Sequence, residues 1–158
     1  MLRKASPPPD ESTLEVRRLM VASEGRDIPY PVIVRALELA RPLDAEVFVM
    51  SIARVWGTSL GFPNPGLKPT KHEWDEQKRI VNEAVDKFKK AGHTANGLVL
   101  ATRKGSKRIV KEAEMRDMDA IVMGADHDRG LIGDFVWAHE PYRVSHRSRR
   151  IPVFLVQG

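Results

Sequence analysis

The sequence predicts a single-domain, doubly wound α/β fold of Rossmann-like architecture, with a five-stranded parallel sheet and helices on both faces. Short apolar runs, which are typical of strands covered on both faces, alternate along the chain with segments of helical periodicity. Alternation through five strands indicates a parallel sheet joined by right-handed crossovers. A chain of 158 residues has the length of one domain. Residues 1–14 are rich in proline and charge and are interpreted as a flexible tail, so the domain is expected to span residues 15–158.

The five predicted strands are short and almost entirely apolar. The first is bounded by Arg17 and Arg18 on one side and by Glu24 and Gly25 on the other. In chain order the predicted strands are residues 19–22, 47–52, 98–101, 120–123 and 153–156.

The first two predicted helices have clear ends. Pro29 and Pro31 suit a first helical turn, where the missing N–H is not needed, and Pro42 ends that helix. The second helix spans about residues 70–91 and is followed by Gly92 as a C-terminal cap. Its core face, read from three- and four-residue steps, holds Trp74, Gln77, Val81, Ala84, Val85 and Phe88.

The second half of the chain predicts two further helices. Ser106 is the N-cap candidate of the third helix, and the fourth is short, with Pro141 near its first turn. The third helix is expected to bury Ile109, Val110 and Ala113. Earlier in the chain, between the second predicted strand and the second predicted helix, residues 54–69 are rich in glycine and proline. They are expected to form a loop that is too long for a simple turn. Loops of this length are usually functional or mobile.

Composition excludes several classes of protein. The chain has no cysteine, which removes disulfides, thiolate metal sites and cysteine nucleophiles and fits a reducing cytoplasm. No apolar run approaches the ~18–20 residues of a membrane helix, and the N-terminus lacks the apolar core of a secretory signal. We therefore expect a cytoplasmic protein with no membrane partner.

The net charge of +5 favours anionic partners only weakly, so its distribution matters more. Residues 141–158 contain no Asp or Glu but include Arg143, Arg147, Arg149 and Arg150. This cluster is typical either of an anion or nucleic-acid contact or of a solvated helix end whose cations face the negative pole of the helix dipole. Arg143 and Arg147 are the candidate anion contacts, and a nucleic-acid partner is the less favoured interpretation.

Ligands of an open parallel sheet bind beyond the carboxyl ends of its strands, where the strand order reverses. This rule selects residues 23–25, 51–52 and 124–133. The last segment leads towards a helix and suits backbone N–H contacts to a phosphate, although the chain lacks the GxGxxG and GxxxxGK[ST] patterns. Ser23 has no GxSxG elbow around it, so a strand-end or capping role is favoured over a nucleophile.

Several segments match, in order and spacing, a pattern known from one protein family. They are residues 19–25, 36–40, 119–124, the turn up to Gly130 and Leu131, and residues 151–156. Over residues 16–157 the chain therefore resembles the universal stress protein family. The resemblance implies a parallel sheet of order 3-2-1-4-5, a cytoplasmic homodimer and a role in stress tolerance. It also implies adenine-nucleotide binding, which is a property of one branch of the family.

The departures from the family pattern concern the nucleotide loop. ATP-binding members carry Asp after the first strand, where this chain has Glu24, and a loop Gly-x2-Gly-x9-Gly-Ser/Thr after the fourth. Gly124 keeps the first glycine, but His127 replaces the second. The final pair falls on residues 137–138, or on 139–140 if the loop carries an insertion. Side chains at these positions fill space that the phosphates need, so the loop is predicted to be degenerate.

We expect a non-enzymatic regulatory or protective domain that is not a tight ATP binder. One alternative is an adenine-nucleotide-binding stress protein with slow ATP hydrolysis, and another is a nucleic-acid-binding module that uses the C-terminal arginines. No cofactor is expected, although ATP or AMP with Mg could bind at low affinity. No metal ligand is assigned, because consecutive side chains such as Asp126, His127 and Asp128 rarely converge on one ion. No catalytic residue is assigned either, because Ser23 lacks the motif of a nucleophile. The nucleotide-binding candidates implied by the resemblance are Glu24, Ile52, Met123, Gly124, His127 and Gly130.

The fifth strand is expected at an edge of the sheet, where unpaired N–H and C=O groups need covering. The resemblance implies that the same strand of a second copy pairs with it in the antiparallel direction, as a symmetric dimer requires. The predicted interface residues are Ile151, Val153, Phe154, Leu155 and Val156.

Overall fold

The computed structural model describes residues 14–54, 58–59, 62–63, 69–102, 105–125 and 151–157. The elements within these residues are β1 (Arg18–Ser23), α1 (Tyr30–Ala40), β2 (Glu46–Arg54), β3 (Thr58–Ser59), β4 (Phe62–Pro63), α2 (Lys71–Lys90), β5 (Ala95–Thr102), α3 (Gly105–Met115), β6 (Ala120–Ala125) and β7 (Val153–Gln157). The predicted fourth helix around Pro141 lies outside the described residues.

Five strands form one parallel sheet in the order β5-β2-β1-β6-β7. Counted among themselves along the chain, these strands stand in the order 3-2-1-4-5, so the predicted fold class and strand order are confirmed. Each predicted apolar run lies within one of them. The short strands β3 and β4 pair in the antiparallel direction inside the predicted long loop of residues 54–69.

The sheet separates two apolar layers, because alternate residues of a strand point to opposite faces. Leu19 and Val21 of β1 pack in the layer that contains α1 and α2. Met20 and Ala22 pack in the layer that contains α3. Helices therefore cover both faces of the sheet, as predicted.

Prolines define both ends of α1. Pro29 is the N-cap, and its carbonyl oxygen accepts the N–H groups of Val32 at 3.0 Å and Ile33 at 3.3 Å. Pro31 lies in the first turn, where the missing N–H leaves no bond unmade. The helix ends just before Pro42, as the sequence predicts.

Helix α2 begins and ends at the predicted caps. The hydroxyl of Thr70 accepts the N–H of Glu73 at 3.2 Å. Gly92 has a φ of +95°, and its N–H and that of His93 donate to carbonyl oxygens of the last turn at 2.9 and 3.0 Å. This is the Schellman arrangement, which needs a left-handed residue such as glycine. The predicted core face is buried apart from Trp74, which is half-buried.

Helix α3 begins at Gly105, so Ser106 lies inside its first turn and the prediction of Ser106 as the N-cap was wrong. Local sequence determines helix ends to within one or two residues only. The predicted buried face is confirmed, since Ile109, Val110 and Ala113 are buried against the sheet.

One carboxylate joins the amino ends of β1 and β6. Asp119 accepts the N–H groups of Arg17 and Arg18 on Oδ2, both at 2.9 Å. The Asp119 N–H donates in turn to the carbonyl oxygen of Arg18 at 2.8 Å. Hydrogen bonds to a charged group are stronger than neutral ones, so Asp119 fixes the register of the two strands at their start.

A crevice at the carboxyl ends of the central strands

The strand register brings three of the predicted segments together. Ser23 at the end of β1 lies opposite Ser51 of β2, and Ala22 lies opposite Met123 of β6. Glu24 follows Ser23 directly, and Ile52 and Gly124 follow the paired residues of their own strands. The candidates Glu24, Ile52, Met123 and Gly124 therefore meet at one end of three adjacent strands.

The crevice is the space beyond the carboxyl ends of these three strands, and some of the candidates can face it only with their backbone groups. The side chains of Ile52 and Met123 are buried in the layer that contains α3, at 0% and 2% exposure. Their contribution at the crevice is therefore limited to backbone groups. Glu24 is half-buried, and its Oε1 oxygen is inaccessible to solvent.

The turn after β1 packs directly on the end of β2. Gly25 has a φ of +88°, a left-handed conformation that glycine adopts without strain. A Cβ at this position would lie only 3.2 Å from the carbonyl oxygen of Ile52. Gly25 is therefore required both by the backbone conformation and by this close approach.

Ser23 holds this turn in place. Its hydroxyl donates to the carbonyl oxygen of Arg26 at 2.5 Å and accepts the Arg26 N–H at 3.1 Å. A hydroxyl that bonds to the backbone three residues later stabilises a turn. The geometry fits the structural role that the sequence favours for Ser23.

Gln77 of α2 connects the turn to β2. The Ser51 hydroxyl donates to the amide oxygen of Gln77, and the amide nitrogen of Gln77 donates to the carbonyl oxygen of Gly25 at 3.1 Å. Ser51 is fully buried and Gln77 is 8% exposed. The sequence places Gln77 on the core face of α2 but assigns it no role. Its polarity within an otherwise apolar stripe was the signal that could have identified it.

A second contact between α2 and the turn is ionic. Arg79 lies 3.2 Å from Asp27, donates to Glu83 at 3.0 Å and also bonds to Glu76. The hydrogen bonds to Glu76 and Glu83 raise the pKa of the Arg79 guanidinium. The hydrogen bond between Arg79 and Glu76 also lowers the pKa of Glu76. All of these groups are at the surface, so the network orients the turn more than it stabilises the fold.

On the β6 side, Gly124 faces the first turn of α1. A Cβ at Gly124 would lie 3.6 Å from Val32 and 3.9 Å from Pro29, which is ordinary van der Waals contact. The helix terminus opposite has few donors for an anion, because Pro31 has no N–H and those of Val32 and Ile33 bond to Pro29.

The remaining predicted site residues fall outside the described parts of the chain: they are His127, Gly130, Arg143 and Arg147, together with Asp126 and Asp128. Among the residues that are described, no cluster of three or more His, Asp or Glu side chains could hold a metal ion. The helices of the described segments include none that combines the length and the apolar character needed to span a membrane.

The parallel sheet, its reversal of strand order beside β1 and the crevice at its carboxyl end define the class of doubly wound α/β domains. The Universal stress protein family model matches residues 15–156. The chain belongs to this family, as the resemblance in its sequence indicates. No match was found among curated protein sequences.

Solved structures with the same fold include several universal stress proteins. One from Archaeoglobus fulgidus has a TM-score of 0.67 at 19% identity, covering 92% of this chain and 96% of its own. A universal stress protein in complex with cAMP has a TM-score of 0.64 at 20% identity, covering 90% and 97%. Another from Archaeoglobus fulgidus, in complex with dAMP, has a TM-score of 0.63 at 21% identity, covering 89% and 98%.

Proposed function

We propose that this universal stress protein is a non-enzymatic regulatory or protective domain that does not hold ATP tightly. The observation that supports the proposal best is the Ser51–Gln77–Gly25 chain of hydrogen bonds, which joins polar groups at the carboxyl ends of β1 and β2 to one another through α2. A nucleotide base that enters between β1 and β2 has to displace these bonds. Each net hydrogen bond contributes about 1 kcal/mol, so their loss offsets part of any binding energy.

The approach to the β2 backbone is restricted as well. Gly25 lies against the carbonyl oxygen of Ile52, so a ligand that uses this oxygen has to move the turn. The turn is held by Ser23 on one side and by the Arg79–Asp27 ion pair on the other. Several contacts therefore favour the closed crevice.

The phosphate side of the crevice supports the same proposal. Helix N-termini bind anions through backbone N–H groups that lack a partner. In α1, Pro31 has no N–H and the two donors that follow it bond to Pro29. The sequence adds His127 at a position where ATP-binding members carry glycine.

The test is to identify what the freshly purified protein carries. Mass spectrometry and the absorbance ratio of material released by denaturation are expected to show no stoichiometric nucleotide. An assay with Mg-ATP is expected to show no hydrolysis above a protein-free control. Adenine nucleotide retained at one equivalent per chain, or turnover that scales with protein concentration, contradicts the proposal.

A second candidate function is that of an adenine-nucleotide-binding stress protein with slow ATP hydrolysis. It is favoured by two universal stress proteins of the same fold, whose structures are complexes with cAMP and with dAMP. Millimolar binding of AMP is compatible with both candidates, and slow hydrolysis of ATP distinguishes the second candidate from the first. The third alternative, a nucleic-acid-binding module, depends on arginines between 143 and 150 that lie outside the described residues, and it stays a prediction.

We also propose that two copies associate through β7, which lies at an edge of the sheet. Phe154 and Val156 pack towards the layer of α1, where the Arg35 guanidinium lies 5.3 Å from the Phe154 ring. Val153 and Leu155 pack towards the layer of α3. All four are half-buried in the single chain, which leaves apolar surface for a partner, whereas Ile151 is already buried at 9% exposure.

Sedimentation tests the dimer. Phe154→Lys is expected to raise the monomer fraction, because a charge at an antiparallel strand pair opposes pairing with a symmetric copy. Leu43→Lys is the matched control, since Leu43 is an apolar residue that is 40% exposed and lies away from β7. A wild-type protein that stays monomeric at roughly 50 µM, which corresponds to an association weaker than about 6 kcal/mol, contradicts the proposal.

A further inference from the structure

The strand β5 forms the edge of the sheet opposite β7, and in the described parts of the chain it pairs with β2 alone. It has eight residues, with no proline and no charged side chain among them, and its register with β2 is unbroken. Edge strands of soluble proteins are usually short or carry lysine, proline or a bulge, because an unpaired edge otherwise pairs with another chain. The eight residues of β5 have none of these features, so this edge is open to a further strand.

The unpaired backbone groups of β5 follow from its pairing. The Val47 N–H donates to the carbonyl oxygen of Thr94 at 2.9 Å, so the backbone groups of Thr94 point towards β2. Those of every second residue after Thr94 do the same, and the groups of Gly97, Val99 and Ala101 point away from β2. Gly97 and Ala101 are exposed, and Val99 is half-buried. These three residues therefore offer N–H donors and C=O acceptors to a strand beside the edge.

The helix that covers β5 brings positive charge to this edge. A Cβ at Gly97 would meet the side chains of Val81 and Val85, so this side of α2 lies on β5. Lys78 lies seven residues before Val85 and Lys89 four residues after it, which places both on the same side of the helix. Both lysines are exposed, and neither is ion-paired with a residue that the structure describes.

The other face of the sheet adds a further cation. The Arg116 guanidinium lies 4.0 Å from the centre of the Phe48 ring, and Phe48 pairs with Asn96 of β5. The buried carboxylate of Glu112 bonds to Arg116 at 3.1 Å and to Arg108 at 2.9 Å. One carboxylate thus serves two guanidinium groups, which leaves an excess of positive charge. Cations therefore lie beside β5 on both faces of the sheet.

We propose that the edge of β5 binds an extended, acidic segment of a protein partner, which adds to the sheet as a further strand. Main-chain hydrogen bonds to an exposed edge give such complexes their affinity, and the side chains beside the edge give specificity. A second copy of this chain is the less suitable occupant, because antiparallel pairing of β5 with itself brings the lysines of two α2 helices together. The edge is separate from the crevice, so its occupation does not depend on whether a nucleotide binds.

The first test uses a peptide of the same length as β5 in which Glu and Val alternate. Fluorescence polarisation of the labelled peptide at low ionic strength measures its affinity. Two control peptides, one with Lys in place of Glu and one with a methyl group on every amide nitrogen, are expected to bind at least about tenfold more weakly. The first lacks the complementary charge, and the second keeps the charge but has no N–H to donate. No binding of the acidic peptide at about 1 mM, or equal binding of its N-methylated form, overturns the proposal.

Variants of α2 test where the peptide binds. Lys78→Glu combined with Lys89→Glu is expected to weaken the binding of the acidic peptide at least about fivefold. The matched control is Lys87→Glu combined with Lys90→Glu, which makes the same charge change on the side of the helix away from Val85. The control is expected to bind within about twofold of the wild type. Equal affinities of the two double variants overturn the proposal, because net charge alone then determines binding.

Amide hydrogen exchange measured by NMR tests the pairing of the backbone. With the acidic peptide bound, the N–H groups of Gly97, Val99 and Ala101 are expected to exchange at least about tenfold more slowly. Those of Leu98 and Leu100, which point towards β2, are expected to change less. Unchanged exchange at all three outward positions overturns the proposal.

Ala101→Pro removes one outward donor without breaking a bond to β2, as proline at an edge strand allows. It is expected to weaken the binding of the acidic peptide, and unchanged affinity overturns the proposal. Should this variant fail to fold, the N-methylated peptide gives the same information with the wild-type protein. A dimer of Phe154→Lys that dissociates when Ala101→Pro is added shows that a second copy occupies the edge, which also overturns the proposal.

Discussion

The amino and carboxyl ends of the sheet are both held by polar side chains that bond to the backbone, but the chemistry differs. At the amino end, the Asp119 carboxylate accepts two N–H groups of the segment that enters β1. The buried ring of His93 lies there too, with Nδ1 3.2 Å from the carbonyl oxygen of Ala45. At the carboxyl end, the uncharged amide of Gln77 joins Ser51 to Gly25.

This difference indicates what each end does. A carboxylate that bonds to the backbone of a neighbouring strand fixes where that strand starts. The carboxyl end is the place where ligands of a doubly wound sheet bind, so on the proposed function we expect the Gln77 side chain to affect both stability and ligand affinity. We therefore expect substitutions at the amino end to change stability alone.

The largest expected effect is at the amino end. Asp119→Ala removes an acceptor that serves two N–H groups, and we expect the free energy of unfolding in urea to fall by about 3 kcal/mol. Asp119→Asn keeps an acceptor oxygen but loses the charge, so its loss is expected to be less than half as large. Unfolding curves of Asp119→Ala that coincide with those of the wild type contradict this role.

Substitution of two glycines with positive φ, one at each end of the sheet, allows the stability of the two ends to be compared directly. Gly25 at the carboxyl end and Gly92 at the amino end have φ values of +88° and +95°. A Cβ at Gly25 lies 3.2 Å from the Ile52 carbonyl oxygen, but one at Gly92 has nothing within 4 Å. Gly92→Ala is expected to cost about 1 kcal/mol through backbone strain, and Gly25→Ala about 2 kcal/mol, because the close contact adds to the strain.

Chemical denaturation of the two glycine variants under one set of conditions checks this order. Equal losses show that the turn after β1 moves away from β2 without cost. In that case the close approach of Gly25 to the Ile52 carbonyl does not restrict a ligand.

A double-mutant cycle on Ser51 and Gln77 probes the smallest effect. Ser51→Ala and Gln77→Met each leave a buried partner without its hydrogen bond, whereas the double variant removes both groups. The double variant is therefore expected to be more stable than the sum of the single losses predicts, by about 1 kcal/mol. Additive losses mean that the two side chains are not coupled.

Most of the fold could be predicted from the sequence because it depends on local patterns. The apolar runs of the strands, the prolines around α1, and Thr70 and Gly92 around α2 each act through neighbouring residues. The strand order came from the family resemblance. The prediction of Ser106 as the N-cap of α3 was wrong, because local sequence alone does not determine which residue near a helix end takes the cap position.

The candidate site was only partly predictable. Glu24, Ile52, Met123 and Gly124 follow from the rule on carboxyl ends of strands and from the family pattern. The contact between Gln77 and Gly25 joins residues that are 52 positions apart, and no local pattern encodes it. A polar residue in an apolar stripe signals a buried partner, but only the packing of α2 on the sheet shows which one.

The most direct test of the closed crevice is a calorimetric titration of Mg-ATP into wild-type protein that has been freed of nucleotide. We expect a dissociation constant weaker than about 100 µM, because the polar groups at the ends of β1 and β2 already bond to one another. A dissociation constant below about 10 µM contradicts it, and shows that the Ser51–Gln77–Gly25 bonds open readily for a ligand.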